Sequence, residues 1–298
     1  MSVFSLKQAL GIELPTIEIL DVGAMMEEQD RYQPLRDMGL ARVTGFEPDE
    51  EQYQKLLANK GERDQYLPYV LGTGERQRFN LARYPGCSSL YEPSSAAIDL
   101  FTSIGTGESG NFRVLETLDI DTKRLDDIPE CPAPDLIKID VQGAELDILR
   151  HATQALESAL VIESEVEFIP LYKDQPLFGD LQVYLREHGL WLHKLIDIAG
   201  RSFKPLARGN NPYAALSQVL WADAIFVRDF TSLERYGDDQ LLKASLILHQ
   251  VYCSYDLVLL LLREHDRRCG SGLAEKYGAG LRAETDLPVL YMNLKEHV

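Results

Sequence analysis

Residues 135–152 read DLIKIDVQGAELDILRHA, and this stretch has the most specific pattern of secondary structure in the chain. Its apolar start, residues 136–140, predicts a buried β-strand. The spacing of apolar residues over 144–152 predicts an amphipathic helix, and Gly143 lies in the turn between the two. A strand that passes through a short turn into a helix is the repeating unit of α/β proteins with parallel sheets.

The same alternation extends on both sides of this stretch, from Ile17 to about Phe168. It predicts further strands at 17–22, 42–46, 66–71 and 160–166, and further helices near 30–39 and 50–59. We therefore expect a Rossmann-like α/β sheet with helices on both faces.

The segment 72–134 is too long for a plain connection in a compact fold, so we expect it to carry structure of its own. Extra strands at 76–82 and 113–120 and a short helix at 94–102 are predicted. This segment is expected to recognise the substrate together with residues 210–223. Four side chains of that second stretch could stack on or hydrogen-bond a ring: Tyr213, Ser217, Gln218 and Trp221.

The C-terminal third changes pattern. Two late strands, 190–198 and 218–227, are predicted as an antiparallel pair at the sheet edge, and from Asp238 the pattern is helical. We expect a core domain at 1–228 and a helical extension at 229–298. The apolar residues of the extension need a cover, either the core or a second copy of the chain in a homodimer.

Composition excludes several classes of function. The 298 residues carry a net charge of −17 without a basic cluster, which disfavours nucleic acid and anionic membranes as partners. The N-terminus lacks a signal-peptide pattern, so a cytoplasmic location is expected. The four cysteines and six histidines show no metal-binding spacing, and no metal is predicted.

The segment ILDVGAMM, residues 19–26, predicts a cofactor loop. Asp21 ends a buried strand and Gly23, followed by Ala24, allows backbone N–H groups to approach a ligand. An ordinary turn between a strand and a helix is the alternative. The second and third glycines of a dinucleotide fingerprint are absent, because Met25, Met26 and Glu27 follow, and this argues against NAD or FAD.

The segment RVTGFEPD, residues 42–49, places Glu47 at the tip of the second strand. A carboxylate at this position can accept both hydrogen bonds of a ribose diol, which favours an adenosine-containing ligand. Glu47 could instead serve as an acid before the next helix, with Pro48 at its start.

The stretch IKIDVQGAELDIL, with DVGA, GFEPD, PGCSSL and TKRLDDI in order, resembles the FkbM family of methyltransferases over about residues 17–168. The resemblance implies a class I methyltransferase sheet, S-adenosylmethionine as cofactor, and O-methylation of a sugar, glycan or natural product. It also implies a role in cofactor binding for the residues that match the family's motifs. These are Asp21, Gly23, Ala24, Glu47, Pro48, Gly72, Ser88 and Asp140. The sequence departs from the family pattern after DVGA and at Gly72-Thr73.

Three residues are candidates for the reacting end of the site. Asp140 and Glu165 are expected at the carboxyl edge of the sheet, where they could orient or deprotonate an acceptor, although each could instead cap a turn or helix. His193 is a third candidate base, with a core histidine as the alternative. Ser88 and Ser89 could bind a ligand or end a strand.

Two other functions remain open at this point. A nicotinamide-dependent dehydrogenase would also use Glu47, and a catalytically silent methyltransferase-like scaffold would explain the altered first loop. Calorimetry separates the three hypotheses, because binding of S-adenosylmethionine favours the methyltransferase, binding of NAD favours the dehydrogenase, and binding of neither favours the scaffold.

Overall fold

The computed structural model describes residues 4–25 and 30–283, which form two compact units. The sheet unit contains residues 18–25 and 42–230, and the helical unit contains residues 4–17, 30–41 and 231–283. The strands are β1 Ile17–Val22, β2 Ala41–Phe46, β3 Gln65–Leu67, β4 Arg76–Ala82, β5 Val114–Asp121, β6 Leu136–Ile139, β7 Val161–Glu167, β8 Leu190–Gly200 and β9 Val219–Arg228. The helices are α1 Leu6–Leu10, α2 Gln33–Asp37, α3 Glu50–Asn59, α4 Ser95–Ile98, α5 Glu145–Arg150, α6 Thr153–Ser158, α7 Phe178–Glu187, α8 Asp238–Gln250, α9 Tyr255–Cys269 and α10 Leu273–Ala283.

Seven strands form the main sheet in the order β3-β2-β1-β6-β7-β9-β8. β6 pairs in parallel with β1 and with β7, whereas β9 runs antiparallel to both β7 and β8. The predicted α/β class, the Rossmann-like sheet and the antiparallel edge pair are confirmed. Parallel neighbours bring the carboxyl ends of β1, β6 and β7 to one edge of the sheet, where open α/β folds bind ligands.

The two faces of the central strands differ in polarity. Leu20, Ile137 and Ile162 are register neighbours on one face and belong to the main apolar core, with α5, α6 and α7 packed against them. One residue further along each strand, Asp21, Lys138 and Glu163 are register neighbours on the other face. Because side chains alternate along a strand, one register fixes both the core and a row of charged groups.

The third strand is shorter than predicted. Residues 66–71 were expected to pair, but β3 ends at Leu67 because Pro68 has no N–H group for the ladder. Further along, Leu71 forms an isolated bridge with Lys123, and Gly72 N donates to the Lys123 carbonyl at 2.9 Å. The segment 72–134, called the excursion below, thus folds back so that Lys123 pairs with the chain next to Gly72.

The excursion carries the two predicted strands, and the structure pairs them as a hairpin. β4 and β5 pair antiparallel as a separate two-stranded sheet, and only the helix differs, since α4 covers four residues instead of 94–102. A second apolar cluster lies beneath it. Its buried members are Ala82, Cys87, Ile98, Phe101, Ile104, Phe112, Leu171, Tyr172 and Leu220.

The helical unit joins segments from both ends of the chain. α8 packs against α9, and α1 and α2 both contact α8. His249 of α8 is fully buried, where its Nε2 lies 2.8 Å from the Phe4 carbonyl and its Nδ1 lies 3.0 Å from Tyr277 Oη. The sequence analysis placed the boundary at residue 228 and counted residues 1–41 with the core, and that division stays a prediction.

Sequence patterns missed α1, α6 and α7, of which the first two are only five and six residues long, whereas α8, α9 and α10 fall within the stretch predicted to be helical from Asp238. Part of the predicted extension, residues 284–298, lies outside the described residues, as do Met26 and Glu27 of the first loop. Over the described part of the chain, every helix is too short or too polar to cross a bilayer.

Candidate functional site

Three turns meet where β1, β2 and β6 end. Gly23 N and Ala24 N both donate to the Phe46 carbonyl, at 3.1 and 3.0 Å, and Asp140 N donates to the Val22 carbonyl at 3.0 Å. The predicted first loop, the Glu47 strand tip and the Asp140 turn are therefore neighbours in the structure.

Gly23 is required here for two reasons. Its φ of +83° lies in the left-handed region, and a Cβ atom built on it would lie 2.0 Å from the Asp140 carbonyl oxygen. Ala24 is buried next to it. A larger residue at position 23 would therefore push the first loop away from the Asp140 turn.

Glu47 is buried at the tip of β2. Among the described residues, its carboxyl accepts one hydrogen bond, from Asp49 N at 2.8 Å, and pairs with no cation. Burial raises the pKa of Glu47 to about 7, and the nearby Asp49 and Asp21 contribute in the same direction. A buried carboxyl with a second oxygen left over fits a ribose diol, which offers two donors and compensates the lost water.

Glu47 does not form the N-cap of the following helix. Asp49 takes that position, since its Oδ1 accepts from Gln52 N at 2.9 Å, and Pro48 is exposed between the two acids. Glu47 thus precedes the helix, and its carboxyl accepts only from the N–H of the N-cap residue Asp49 among the described residues.

Asp21 lies in a buried ion pair. Only 1% of its side chain is exposed, and its Oδ1 lies 3.1 Å from Lys138 Nζ. Burial lowers the pKa of the Lys138 ammonium, but the carboxyl groups of Asp21, Asp140 and Glu163 outweigh it and raise the pKa overall. Lys138 therefore stays charged and balances the acids on this face of the sheet.

Gln142 connects the two predicted catalytic acids. Its Nε2 donates to Asp140 Oδ1 at 3.0 Å and to Glu165 Oε2 at 2.6 Å, although Glu165 lies on the next strand. Burial raises the pKa of Glu165 well above its usual range, and the charges of Asp140 and Glu167 add to the effect. Burial and the neighbouring acids therefore favour the protonated, neutral form of Glu165.

The Gln142 turn is itself held on several sides. Gln142 has a φ of 60°, its carbonyl accepts from Ser89 Oγ at 2.6 Å, and its Oε1 lies 3.0 Å from the hydroxyl of Tyr172. Glu145 Oε1 accepts from Val141 N and Gly143 N at 2.9 and 3.2 Å. A non-glycine residue in the left-handed region persists only when its surroundings hold it, and here they do.

Two further carboxyl groups lie beside this turn. Burial raises the pKa of Glu145 to about 7 and raises that of Glu167 well above its usual range. Both line a small cavity of about 10 Å³ together with Glu165 and Phe178, large enough for about one water molecule. Across the described residues, no three metal-ligating side chains form a group that could hold an ion.

The remaining candidates lie elsewhere. Ser88 Oγ accepts from Ala82 N at 3.0 Å and so holds the excursion hairpin, while its neighbour Ser89 reaches the Gln142 turn. Gly72 is enclosed by protein, because an added Cβ would lie 2.6 Å from Gln77 Oε1. His193 lies on β8 at a register shift, two strands from β7, so the structure does not bring it together with Asp140 and Glu165.

Sequence reasoning missed Lys138 and Gln142. The alternation of side chains in IKID could have found Lys138, because it lies two residues before Asp140 and so shares its face of the strand. No sequence signal shows that the Gln142 amide reaches Glu165, 23 residues further along the chain.

Comparison with known proteins identifies the family. The model of the methyltransferase FkbM domain matches residues 21–190, which is more than half of the chain. A hexuronic acid methyltransferase, AglP of Haloferax volcanii, is 29% identical over 126 residues, covering 42% of this chain and 47% of that protein. The chain thus aligns with about half the length of this curated relative.

Solved structures show lower similarity. TYW2 of M. jannaschii in complex with AdoMet has a TM-score of 0.31 and 14% identity, covering 75% of this chain and 74% of that one. A SAM-dependent methyltransferase of Aquifex aeolicus has a TM-score of 0.31 and 10% identity, covering 76% and 91%.

The family match agrees with the geometry of the Gly23 turn and with the buried carboxyl of Glu47 at the tip of β2. The chain belongs to the FkbM family of methyltransferases and uses S-adenosylmethionine as its cofactor.

Proposed function

We propose that this methyltransferase transfers the methyl group to a hydroxyl oxygen of a saccharide, and that the Asp140–Glu165 pair receives the hydroxyl proton. The observation that carries the proposal is the half-buried carboxyl pair joined through Gln142, next to the Gly23 turn. The name of the Haloferax volcanii relative, a hexuronic acid methyltransferase, supports a saccharide acceptor.

The cofactor would be held at the ends of β1 and β2. Glu47 would accept hydrogen bonds from both ribose hydroxyls, and the Gly23-Ala24 turn would lie against the ligand along its backbone. Asp21 would act through its ion pair with Lys138, which fixes the end of β1. S-adenosylmethionine, when bound, supplies a methyl group on a cationic sulfur.

The carboxyl pair would manage the proton. As the acceptor oxygen bonds to the methyl carbon and the carbon–sulfur bond breaks, the hydroxyl proton passes to Asp140. Glu165, which holds a proton in the free protein, donates a hydrogen bond to that carboxylate and keeps it oriented. In-line transfer depends mainly on alignment, so a rigid Gln142 turn is as important as the base itself.

The test combines binding with turnover. The full-length protein is titrated with S-adenosylmethionine by calorimetry, and formation of S-adenosylhomocysteine is then measured with a panel of neutral and acidic glycosides. Asp140→Asn should lower kcat by about 10²-fold or more with cofactor affinity little changed. Gln142→Leu, which cannot donate to either acid, should lower kcat in the same way.

The matched control is Glu116→Gln, an exposed acid on β5, which should behave as wild type. Unchanged turnover in Asp140→Asn would return Asp140 to a structural role. Cofactor binding without methyl transfer to any saccharide would reject the saccharide acceptor.

A further inference from the structure

Arg201 lies just after β8 in an unusual setting for an arginine. Its Cζ is 4.8 Å from the ring centre of Trp221 and 5.8 Å from that of Tyr213. Nη1 donates to the Gly200 carbonyl at 2.8 Å and to the Tyr213 carbonyl at 3.4 Å. The guanidinium is thus held in place by two rings and two carbonyls. Both ring distances are short enough for a significant cation–π attraction.

No carboxylate balances this charge within residues 4–25 and 30–283. Arg201 forms no ion pair there, and its buried Nε has no hydrogen-bond acceptor. A partly buried cation without a counter-charge has an unfavourable free energy of desolvation. Burial accordingly lowers the pKa of Arg201. A held but unpaired guanidinium in a chain of net charge −17 suggests that its anion comes from a ligand.

The strand register places this cation at the carboxyl edge of the sheet, two strands from β7. Trp221 is paired with Glu167 of β7 on one side and with Ala199 of β8 on the other. Directly opposed residues of antiparallel strands project to the same face, so the Trp221 ring lies on the face that also carries Glu165 and Glu167. Because β9 is antiparallel to both neighbours, β8 runs in the same direction as β7, and Arg201 after the end of β8 lies at the same edge of the sheet as the proposed proton acceptor. Two strand spacings, about 10 Å, separate β8 from β7.

The surrounding surface suits a sugar ring. Tyr213 is 66% exposed and offers one ring face to solvent, while Trp221 is only partly buried. Aromatic faces provide rigid apolar contact, and a guanidinium binds a carboxylate through two parallel hydrogen bonds. Because the chain carries a net charge of −17, an anionic acceptor also needs a local cation to offset electrostatic repulsion.

We infer that Arg201 binds the carboxylate of the acceptor, with Tyr213 and Trp221 beside the ring, so that the substrate class is an acidic saccharide. This inference rests on the proposed function, because it names the acceptor of the same site. Within this role, Arg201 is a specificity-determining residue.

The experiment uses two pairs of probes that differ only at the carboxylate. They are the p-nitrophenyl glucuronide and glucoside, and the corresponding galacturonide and galactoside. Binding to the full-length protein is measured by calorimetry in the presence of S-adenosylhomocysteine. At least one acidic member should bind about tenfold or more tightly than its neutral partner, the scale of a charge-assisted hydrogen bond.

Variants connect the preference to the residue. Arg201→Gln should remove the preference, and Arg201→Lys should keep part of it, because lysine retains the charge without the planar fork. Arg208→Gln, an exposed arginine of the same connection, should leave it unchanged. Melting temperature and cofactor affinity confirm that each variant is folded. The inference is overturned if neither pair shows a preference, or if Arg201→Gln retains it.

Methyl transfer is measured separately on all four probes. Transfer to neutral and acidic glycosides alike, independent of Arg201, would leave the proposed function standing and reject the acidic class. Carboxylate binding that depends on Arg201 without any methyl transfer would support this site and reject the proposed function.

Discussion

Glu47 is the residue at which burial and ligand binding are most directly linked. Replacing it with alanine should weaken S-adenosylmethionine binding by about 1.5–3 kcal/mol, the usual scale for lost hydrogen bonds to a charged group. The fold should persist, because its side chain makes a single hydrogen bond among the described residues. Calorimetry of Glu47→Ala beside Glu62→Ala, an exposed acid, checks this, and normal affinity in Glu47→Ala would reject the ribose assignment.

The same residue predicts a pH dependence of binding. Because the pKa of Glu47 is raised to about 7, the carboxyl is mostly protonated below pH 7 and can then accept fewer hydrogen bonds from the ribose. Affinity should therefore fall as the pH is lowered from 8 to 6, by at most about tenfold per unit. Titrations at three pH values test this, and Glu47→Gln should show a flatter profile if the residue is responsible.

A substitution at Gly23 combines a steric clash with backbone strain, whereas a substitution at Gly209 causes backbone strain alone. Gly23→Val should abolish cofactor binding and lower stability, because its side chain would collide with the Asp140 carbonyl. Gly209 also has a positive φ but open space around it, so Gly209→Ala should cost only the strain of about 1–2 kcal/mol. Calorimetry and thermal melting compare the two, and wild-type affinity in Gly23→Val would mean that the loop does not approach the ligand.

At the scale of elements, the C-terminal helices cover the short N-terminal ones. Leu6 and Leu10 of α1 and Leu35 of α2 are buried, and α8 contacts both helices. Truncation after Gly237 removes α8, α9 and α10, so it should expose these side chains and cause aggregation. Size-exclusion chromatography tests this, and a truncated protein that is monodisperse, fully active and as heat-stable as the full chain would show that the extension is a separate module.

A point variant asks the same question without removing residues. Tyr277→Phe takes the hydroxyl partner from the buried His249 Nδ1 and should destabilise the helical unit by about 1–3 kcal/mol. Leu260→Ala, an exposed position on α9, should cost less than about 0.5 kcal/mol. Thermal unfolding followed by far-ultraviolet circular dichroism measures this loss of stability. Tryptophan fluorescence serves as the reference, because both tryptophans lie in the sheet unit.

At the scale of the whole molecule, the buried acids predict greater stability at mildly acidic pH. Folding raises the pKa values of Glu47, Glu145, Glu165 and Glu167, so the folded state holds more protons than the unfolded state above about pH 4.5. Their contribution to stability is complete below that pH and is lost as the pH rises through the folded pKa values. The melting temperature of the sheet unit should therefore be higher at pH 6 than at pH 8.

Tryptophan fluorescence monitors the unfolding of the sheet unit. The free energy of unfolding should differ between the two pH values by a few kcal/mol in order of magnitude, about 1.4 kcal/mol for each unit of pKa shift. Glu165→Gln should raise the melting temperature at pH 8 and reduce the difference between the two pH values, whereas Glu62→Gln should change neither. Stability that rises from pH 6 to pH 8 would contradict the assignment of these groups as buried and protonated.

Local periodicity in the sequence was enough to predict several of the helices and strands. The helix Glu50–Asn59, the strand Ile17–Val22 and the antiparallel edge pair were predictable, because side-chain alternation and the 3.6-residue helical period are local properties. The Gly23 turn and the acid at the tip of β2 were predictable for the same reason.

The assembly of the site depends on contacts between residues that are distant in the sequence. Lys138 pairs with Asp21 across 117 residues of sequence, Ser89 reaches Gln142 across 53, and Gln142 reaches Glu165 across 23. The position of Arg201 beside Trp221 likewise depends on the register of β8 on β9. These contacts follow from strand order and register, which are fixed by how the whole apolar face packs and not by the residues adjacent in the chain.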